Sequence, residues 1–300
     1  MKGLLMDIKK YKYRYLIILP VVIYLAIFCY KPMYGIVIAF QRYRPSLGIG
    51  RSKFVGLDNF VRFFNDIYFS RIIKNTFSIS LLSILSSIPV PVCLALMLNE
   101  IRSSSFKRTA QTVLYLPHFI SLVIVCGLVK TFTQTNGVIN DMIAFCGGTR
   151  SNLLSRPSMF YPIYILSNLW QNMGWDSIIY LAALAAVDQE QYEAARVDGA
   201  GRWKQMIYIT LPSILPTISM MLILKLGSIL NVGYEKILLL YQPITYEVAD
   251  VISTYVYRKG LLESDFSYST AVGIFNSVVN LFFLLMSNFL SKRMGQTGLF

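Results

Sequence analysis

The chain is short of charge. Asp, Glu, Lys and Arg make up 14% of its 300 residues, against roughly 25% in an ordinary soluble domain. Acidic side chains number 15 and histidine occurs once, at His118. No cluster has metal-ligand spacing, so no metal site is expected, and His118 reads as a packing residue or as lining for a polar cavity. The four cysteines, Cys29, Cys93, Cys126 and Cys146, form no CxxC pair and imply no disulfide framework. The dipeptide Gly-Lys does not occur, which excludes the GxxxxGK[ST] loop that cradles nucleotide phosphates. Energy for any ATP-driven step must come from another polypeptide. Internal repeats and Gly/Ser linkers are also missing, leaving one membrane domain.

What fills the chain is apolar: 55% of residues are hydrophobic. A bilayer span needs about 20 mostly apolar residues. Six segments reach or approach that length, at 15–38, 77–98, 110–131, 162–187, 214–231 and 270–290. The first resembles a signal peptide in its basic flank (Lys9, Lys10, Lys12, Arg14), but it is too long and lacks a cleavage site, so it reads as a retained helix. The fold class is thus an all-α integral membrane protein with six transmembrane helices. Lys and Arg are nearly twice as dense in the segments that share a side with the N-terminus, which places both termini inside. The net charge of +13 finds its simplest counter-ion in anionic lipid headgroups; no nucleic-acid partner is expected.

Polar groups inside spans are costly against lipid and mark either helix-helix glue or a solute pathway. Asn168, Asn172 and Asp176 recur at i, i+4 on one helical face, with Trp175 and Tyr180 nearby. Gly273, Asn276, Ser277 and Asn280 trace a second stripe, and Ser80, Ser83 and Ser87 a third. Lys225 sits midway in the fifth span, available to a solute or neutralised by Asp176. Candidate pathway residues are therefore Asn168, Asn172, Trp175, Asp176, Tyr180, Lys225, Asn276 and Asn280. Pro89, Pro91, Pro117 and Pro216 break backbone hydrogen bonding within spans, which is tolerated where neighbours or a wet cavity satisfy the freed groups. The loop 41–71 contains a turn and a short helix starting near Asp58. The loop 232–268, with Glu235, Lys236 and several tyrosines, is expected outside, either touching another protein or packing as a cap on the spans.

One polar insert interrupts the apolar pattern, at 188–212. Asp188 suits an N-cap, with Gln191 in the capping-box position. A helix runs to about Val197, Gly199 and Gly201 permit a tight turn, and a second short helix spans 202–209. Pro212 then fits the first turn of the next span. The outcome is a helix-turn-helix knob whose small Ala194 and Ala195 allow close approach by another protein, with Glu193 and Arg202 adding directional charge.

Glu193-Ala194-Ala195, Gly199 and Ile209-x-Leu211-Pro212 resemble the EAA-loop pattern of permease subunits of binding-protein-dependent ABC importers. Lys12-Tyr13-Arg14-Tyr15, Pro32-Met33-Tyr34-Gly35 and the stretches 174–184 and 250–260 are similar to the carbohydrate branch, in particular to polysaccharide or complex-oligosaccharide permeases of the lplB type. The ending Gly298-Leu299-Phe300 departs from the usual final Trp. The resemblance implies a type I importer permease fold, with a segment 1–71, a transmembrane domain 72–291 containing the coupling loop 188–212, and a tail 292–300. It implies a second homologous permease, two cytoplasmic ATPase subunits and an extracytoplasmic solute-binding protein as partners, with an oligosaccharide as cargo in the bacterial cell membrane. ATP and magnesium would sit on the ATPases, and no cofactor on this chain. Glu193, Ala194, Ala195, Asp198, Gly199, Arg202, Leu211 and Pro212 would form or support the coupling element. An alternative is a polytopic enzyme acting on lipid-linked sugars. Lys225 could also favour an acidic, uronate-bearing cargo.

Overall fold

The computed structural model describes residues 11–293 and 295. Lys9, Lys10 and the variant ending at Phe300 lie outside the described residues. The chain divides into two units: residues up to Asp66 with Val256–Phe275, and Ile67–Tyr255 with the residues from Asn276 onward.

The first unit opens with a helical run α1, Lys12–Phe40, none of whose most apolar window is buried, as suits a segment surrounded by lipid. It passes Pro32 without a break. A π turn at Leu25–Tyr30 contains Phe28, the residue whose carbonyl Pro32 would otherwise meet in the i−4 position. A two-stranded hairpin follows, β1 (Gln41–Arg42) antiparallel to β2 (Lys53–Phe54). The short helix α2, Asp58–Phe64, starts where the sequence places it. Phe63 is buried, its ring edge-on to Tyr268 and Phe275 at 6.3 and 5.3 Å. Arg62 pairs with Asp265 at 2.7 Å and lies over the Tyr268 ring.

In the second unit, the segment expected as one span at 77–98 is two helices, α3 (Phe69–Ser87) and α4 (Pro89–Glu100), meeting at Ile88. Pro89 cannot donate to the preceding turn, so it opens a new helix at its first position. The expected span 110–131 is not a single helix. It comprises α5 (Ser104–Tyr115), a 3-10 turn at Leu116–Phe119 around Pro117, and α6 (Leu122–Thr133). Ser121 starts α6 by accepting from the Ile124 amide. His118 therefore lies in a break, not within a span. A further short helix, α7, covers Val138–Phe145.

The fourth expected span is α8, Pro157–Ala185, which at 29 residues is long enough to cross a bilayer. It is absent from the five helical stretches that, among the described residues, are both long and apolar enough to do so: Lys12–Phe40, Phe69–Glu100, Leu122–Phe145, Arg202–Leu226 and Phe266–Arg293. Asn168, Gln171, Asn172 and Asp176 lower its hydropathy, and packing makes that tolerable. Helices α3, α4, α5 and Arg202–Leu226 all pack on α8, so its polar groups need not meet lipid. At Gly174 the approach of α5 is so close that a Cβ would stand 2.0 Å from the Leu114 carbonyl oxygen.

After α9 (Gln189–Val197), the helix α10 runs unbroken over Arg202–Leu226. The second knob helix and the fifth span, expected as separate elements, are thus one. Continuity past Pro212 is again provided by a π turn, Met206–Thr210, containing the i−4 residue Tyr208. The expected end at 231 is also corrected: α10 stops at Leu226 and the chain unwinds through Gly227–Leu230. The stretch expected as a loop after it is largely helical, including α11 (Tyr234–Leu240) and α12 (Ile252–Tyr257). Ile237, Leu240, Ala249 and Val251 bury themselves with Ile79, Phe160 and Tyr164. For this part, self-packing describes the structure. The last helix, α13, is Phe266–Arg293.

Candidate functional site

Helical spacing brings the central polar groups together. The i, i+4 series Asn168, Asn172, Asp176 on α8 faces Ser80, Ser83 and Ser87 on α3 across a cavity of about 310 Å³, also lined by Lys225 of α10 and by Asn231 just after the unwound turn. Lys225 Nζ lies 3.3 Å from Asp176 Oδ2 and donates to Ser87 Oγ at 3.0 Å. The two charges thus neutralise each other while still lining the cavity. Asn172 is held by its neighbours: its amide donates to the Asn168 carbonyl at 3.0 Å, and its Oδ1 accepts from His118 Nδ1 at 3.1 Å. The helix break at 116–121 is what lets His118 reach it.

Four candidate residues stand elsewhere. Trp175 stacks on His118, rings 4.5 Å apart and 4° from parallel, and does not line the cavity. Tyr180 is 1% exposed and packs among Val92, Ala95, Leu184 and Ile214. Although i+4 from Asp176, it is covered by α4 and α10 and does not line the cavity. Asn276 and Asn280 both donate to Asn231 Oδ1, at 2.8 and 3.1 Å, and Asn280 Oδ1 accepts from the Leu230 amide at 2.9 Å. They brace the unwound turn from behind. This is the gluing role polar side chains commonly play between membrane helices.

A second chamber of about 480 Å³ shares Tyr164, Asn168, Asn172 and Asn231 as walls with the first and adds Gln171 and Lys236. Sequence reasoning missed Asn231, Gln171 and Tyr164, and placed Lys236 in an external loop that either touches another protein or caps the spans. Gln171 carried a legible signal, one position before Asn172 on a polar helix. Burial of Lys236 carried none.

The knob is built by local rules. Asp188 Oδ1 caps α9 by accepting from the Glu190 amide at 3.0 Å; the bond goes there and not to Gln191 as a capping box would require. Gly199 turns the chain with φ +76°, a left-handed conformation that favours glycine. Gly201 is extended at φ −69°, so it needs no such freedom. Glu193, Ala194, Asp198, Gly199 and Arg202 are exposed on this bump, and Ala195 is half-buried. Leu211 and Pro212 lie on α10 beyond the π turn and are not part of the bump's tip. Two hydrogen bonds that the sequence did not signal tie the bump to α10: Tyr192 OH with Thr210 Oγ1 at 2.9 Å, and Gln205 Nε2 to the Ala200 carbonyl at 2.7 Å. Arg202 lies 3.9 Å from Glu100, but both are mostly exposed and such a pair contributes little.

Comparison with known proteins identifies the family of the chain. Residues 87–296 match the model of the family described as binding-protein-dependent transport system inner membrane component. The chain is 47% identical to the polygalacturonan/rhamnogalacturonan transport system permease protein YteP of Bacillus subtilis (strain 168), covering 100% of this chain and 94% of that one. It is 44% identical to Protein LplB of the same organism, over 98% and 92% of the two chains. Among solved structures it resembles a chain of the bacterial alginate ABC transporter in complex with an alginate pentasaccharide-bound periplasmic protein, with a TM-score of 0.91, 48% identity, and coverage of 98% and 99%. The chain belongs to the binding-protein-dependent transport system inner membrane component family, as a membrane-embedded permease subunit and not an enzyme.

Proposed function

We propose that this permease forms half of the translocation pathway for an acidic oligosaccharide, in an ABC importer of the bacterial cell membrane. The observation that carries the reading is the cavity where α3, α8 and α10 meet, walled by serine hydroxyls and asparagine amides in a chain whose outer helices are apolar. Hydroxyl and amide groups match the donors and acceptors of a sugar ring. Support for acidity comes from the relatives, whose names give polygalacturonan and alginate as cargo.

In this reading α8 counts as the sixth crossing, so both termini share the cytoplasmic side with the knob. A second homologous permease completes the channel, and a solute-binding protein delivers the cargo. Two ATPase subunits hold ATP and magnesium and receive Glu193, Ala194, Ala195, Asp198, Gly199 and Arg202 in a cleft. The tethers from Tyr192 and Gln205 make the knob and α10 one lever. Nucleotide-driven closure of the ATPases then biases the cavity between two access states of comparable energy.

The test is a reconstituted transporter carrying Glu193→Lys or Gly199→Val. Either change should lower ATPase retention in a pull-down, or leave ATP hydrolysis running without uptake of tetragalacturonate. Normal assembly together with normal uptake in both variants would overturn the assignment of the coupling surface.

A further inference from the structure

Two lysines border the paired chambers, and they differ in one respect. Lys225 is neutralised by Asp176 and held by Ser87. Lys236, on α11, is 3% exposed, and its ammonium has no hydrogen-bond partner among the described residues. Its nearest electrostatic company is weak: the Tyr164 ring, 5.8 Å from Nζ, and Cys126 on α6. Lys130 on α6 is a further cation, and Glu235, its neighbour on α11, lines the same chamber but is solvent-exposed and makes no ion pair with Lys236 among the described residues. A buried, unpaired ammonium is expensive, and an anion entering the chamber would relieve that cost. The wall it occupies also presents the side-chain amides of Asn168, Gln171 and Asn172.

We infer that Lys236 is the specificity-determining residue of the pathway, its ammonium pairing with a carboxylate of a uronate unit as the oligosaccharide passes the chamber walled by Asn168, Gln171 and Asn172. The inference rests on the acidic-oligosaccharide reading above and names the group that reads the acid. The neighbouring amides hydrogen-bond ring hydroxyls whatever the charge of the sugar. Lys236 adds the discrimination, because a neutral cargo would leave its charge unmatched.

The experiment measures uptake into proteoliposomes containing the whole transporter with its binding protein. Wild type, Lys236→Arg and Lys236→Met are compared, with tetragalacturonate and its carboxyl-reduced counterpart as probes. At pH 7, Lys236→Met should import tetragalacturonate about tenfold more slowly, and Lys236→Arg should stay near wild type. Burial holds the Lys236 ammonium down to about 8, so between pH 7 and 9 its charged fraction falls about tenfold. Arginine remains charged throughout. The ratio of Lys236→Arg to wild-type uptake should therefore rise by up to about tenfold over that interval, a change that a purely structural role would not produce. If Lys236→Met fails to assemble, this ratio carries the test. Equal uptake of tetragalacturonate by wild type and Lys236→Met, or a constant ratio with pH, would overturn the role of Lys236 alone. A wild-type transporter that imports only the carboxyl-reduced oligomer would overturn the acidic-cargo reading along with it.

Discussion

The Lys225–Asp176 pair offers a quantitative test of how wet the cavity is. At 3.3 Å the Coulomb attraction is about 5 kcal/mol for an effective dielectric of 20 and about 1 kcal/mol for bulk water. The side chains are 24% and 26% exposed and face a cavity, which places the coupling nearer the lower end, at about 2 kcal/mol. Asp176→Asn removes one charge but leaves Lys225 its bond to Ser87, so that single change should be the milder. Lys225→Met leaves a carboxylate without its cation and should cost more. The double variant should recover about 2 kcal/mol relative to the sum of the singles. Denaturation of the purified variants in mixed micelles measures the cycle. Single effects that add to within about 0.3 kcal/mol would refute the pairing as an energetic contact and return Lys225 to the candidates for cargo binding.

Two further outcomes follow from packing and burial. Gly174→Ala places a Cβ against the Leu114 carbonyl, which as backbone cannot rotate away. It should destabilise the α5–α8 contact by about 1–3 kcal/mol, visible as a lower denaturation midpoint; an unchanged midpoint would show that the helices separate freely. For Lys236, burial lowers the folded-state value from 10.5 to about 8. The unfolded chain therefore binds more protons between those values, and stability rises with pH across that window. The penalty is fully present below pH 8 and amounts to about 3 kcal/mol at most. Lys236→Met should be more stable than wild type at pH 7.5 and lose that advantage by pH 10.5; parallel pH profiles would contradict the burial of a charged ammonium.

The knob was legible in the sequence because its determinants are local. An Asp cap, a helix of known length and a glycine at positive φ lie within a dozen residues of one another, and each acts on its immediate neighbours. The proline sites were only half legible. Pro89 and Pro117 coincide with real breaks, whereas Pro32 and Pro212 are passed by π turns that a sequence pattern does not distinguish from breaks. The α8 stripe shows the same limit in three dimensions. Periodicity states which residues share a face, and it assembled Asn168, Asn172 and Asp176 correctly. It is silent on what covers that face farther along. One turn past Asp176, α4 and α10 close over Tyr180, while Trp175 turns toward the break at His118.

The two lysines carry that argument to the cargo. A rule about charges in apolar segments selects Lys225, since Lys236 falls in a stretch that reads as an external loop or cap outside the spans. What would favour an anionic cargo, however, is the uncompensated charge, and compensation is a property of tertiary contacts. Asp176 reaches Lys225 only because α8 and α10 pack together, and Lys236 is buried only because the segment after α10 folds back as helices onto Ile79, Phe160 and Tyr164. With its own charge satisfied, Lys225 shapes the cavity but has little electrostatic reason to prefer an anionic sugar over a neutral one. On the acidic-cargo reading proposed above, Lys236 has that reason at every passage of the cargo, since the counter-charge it lacks is the one a uronate brings.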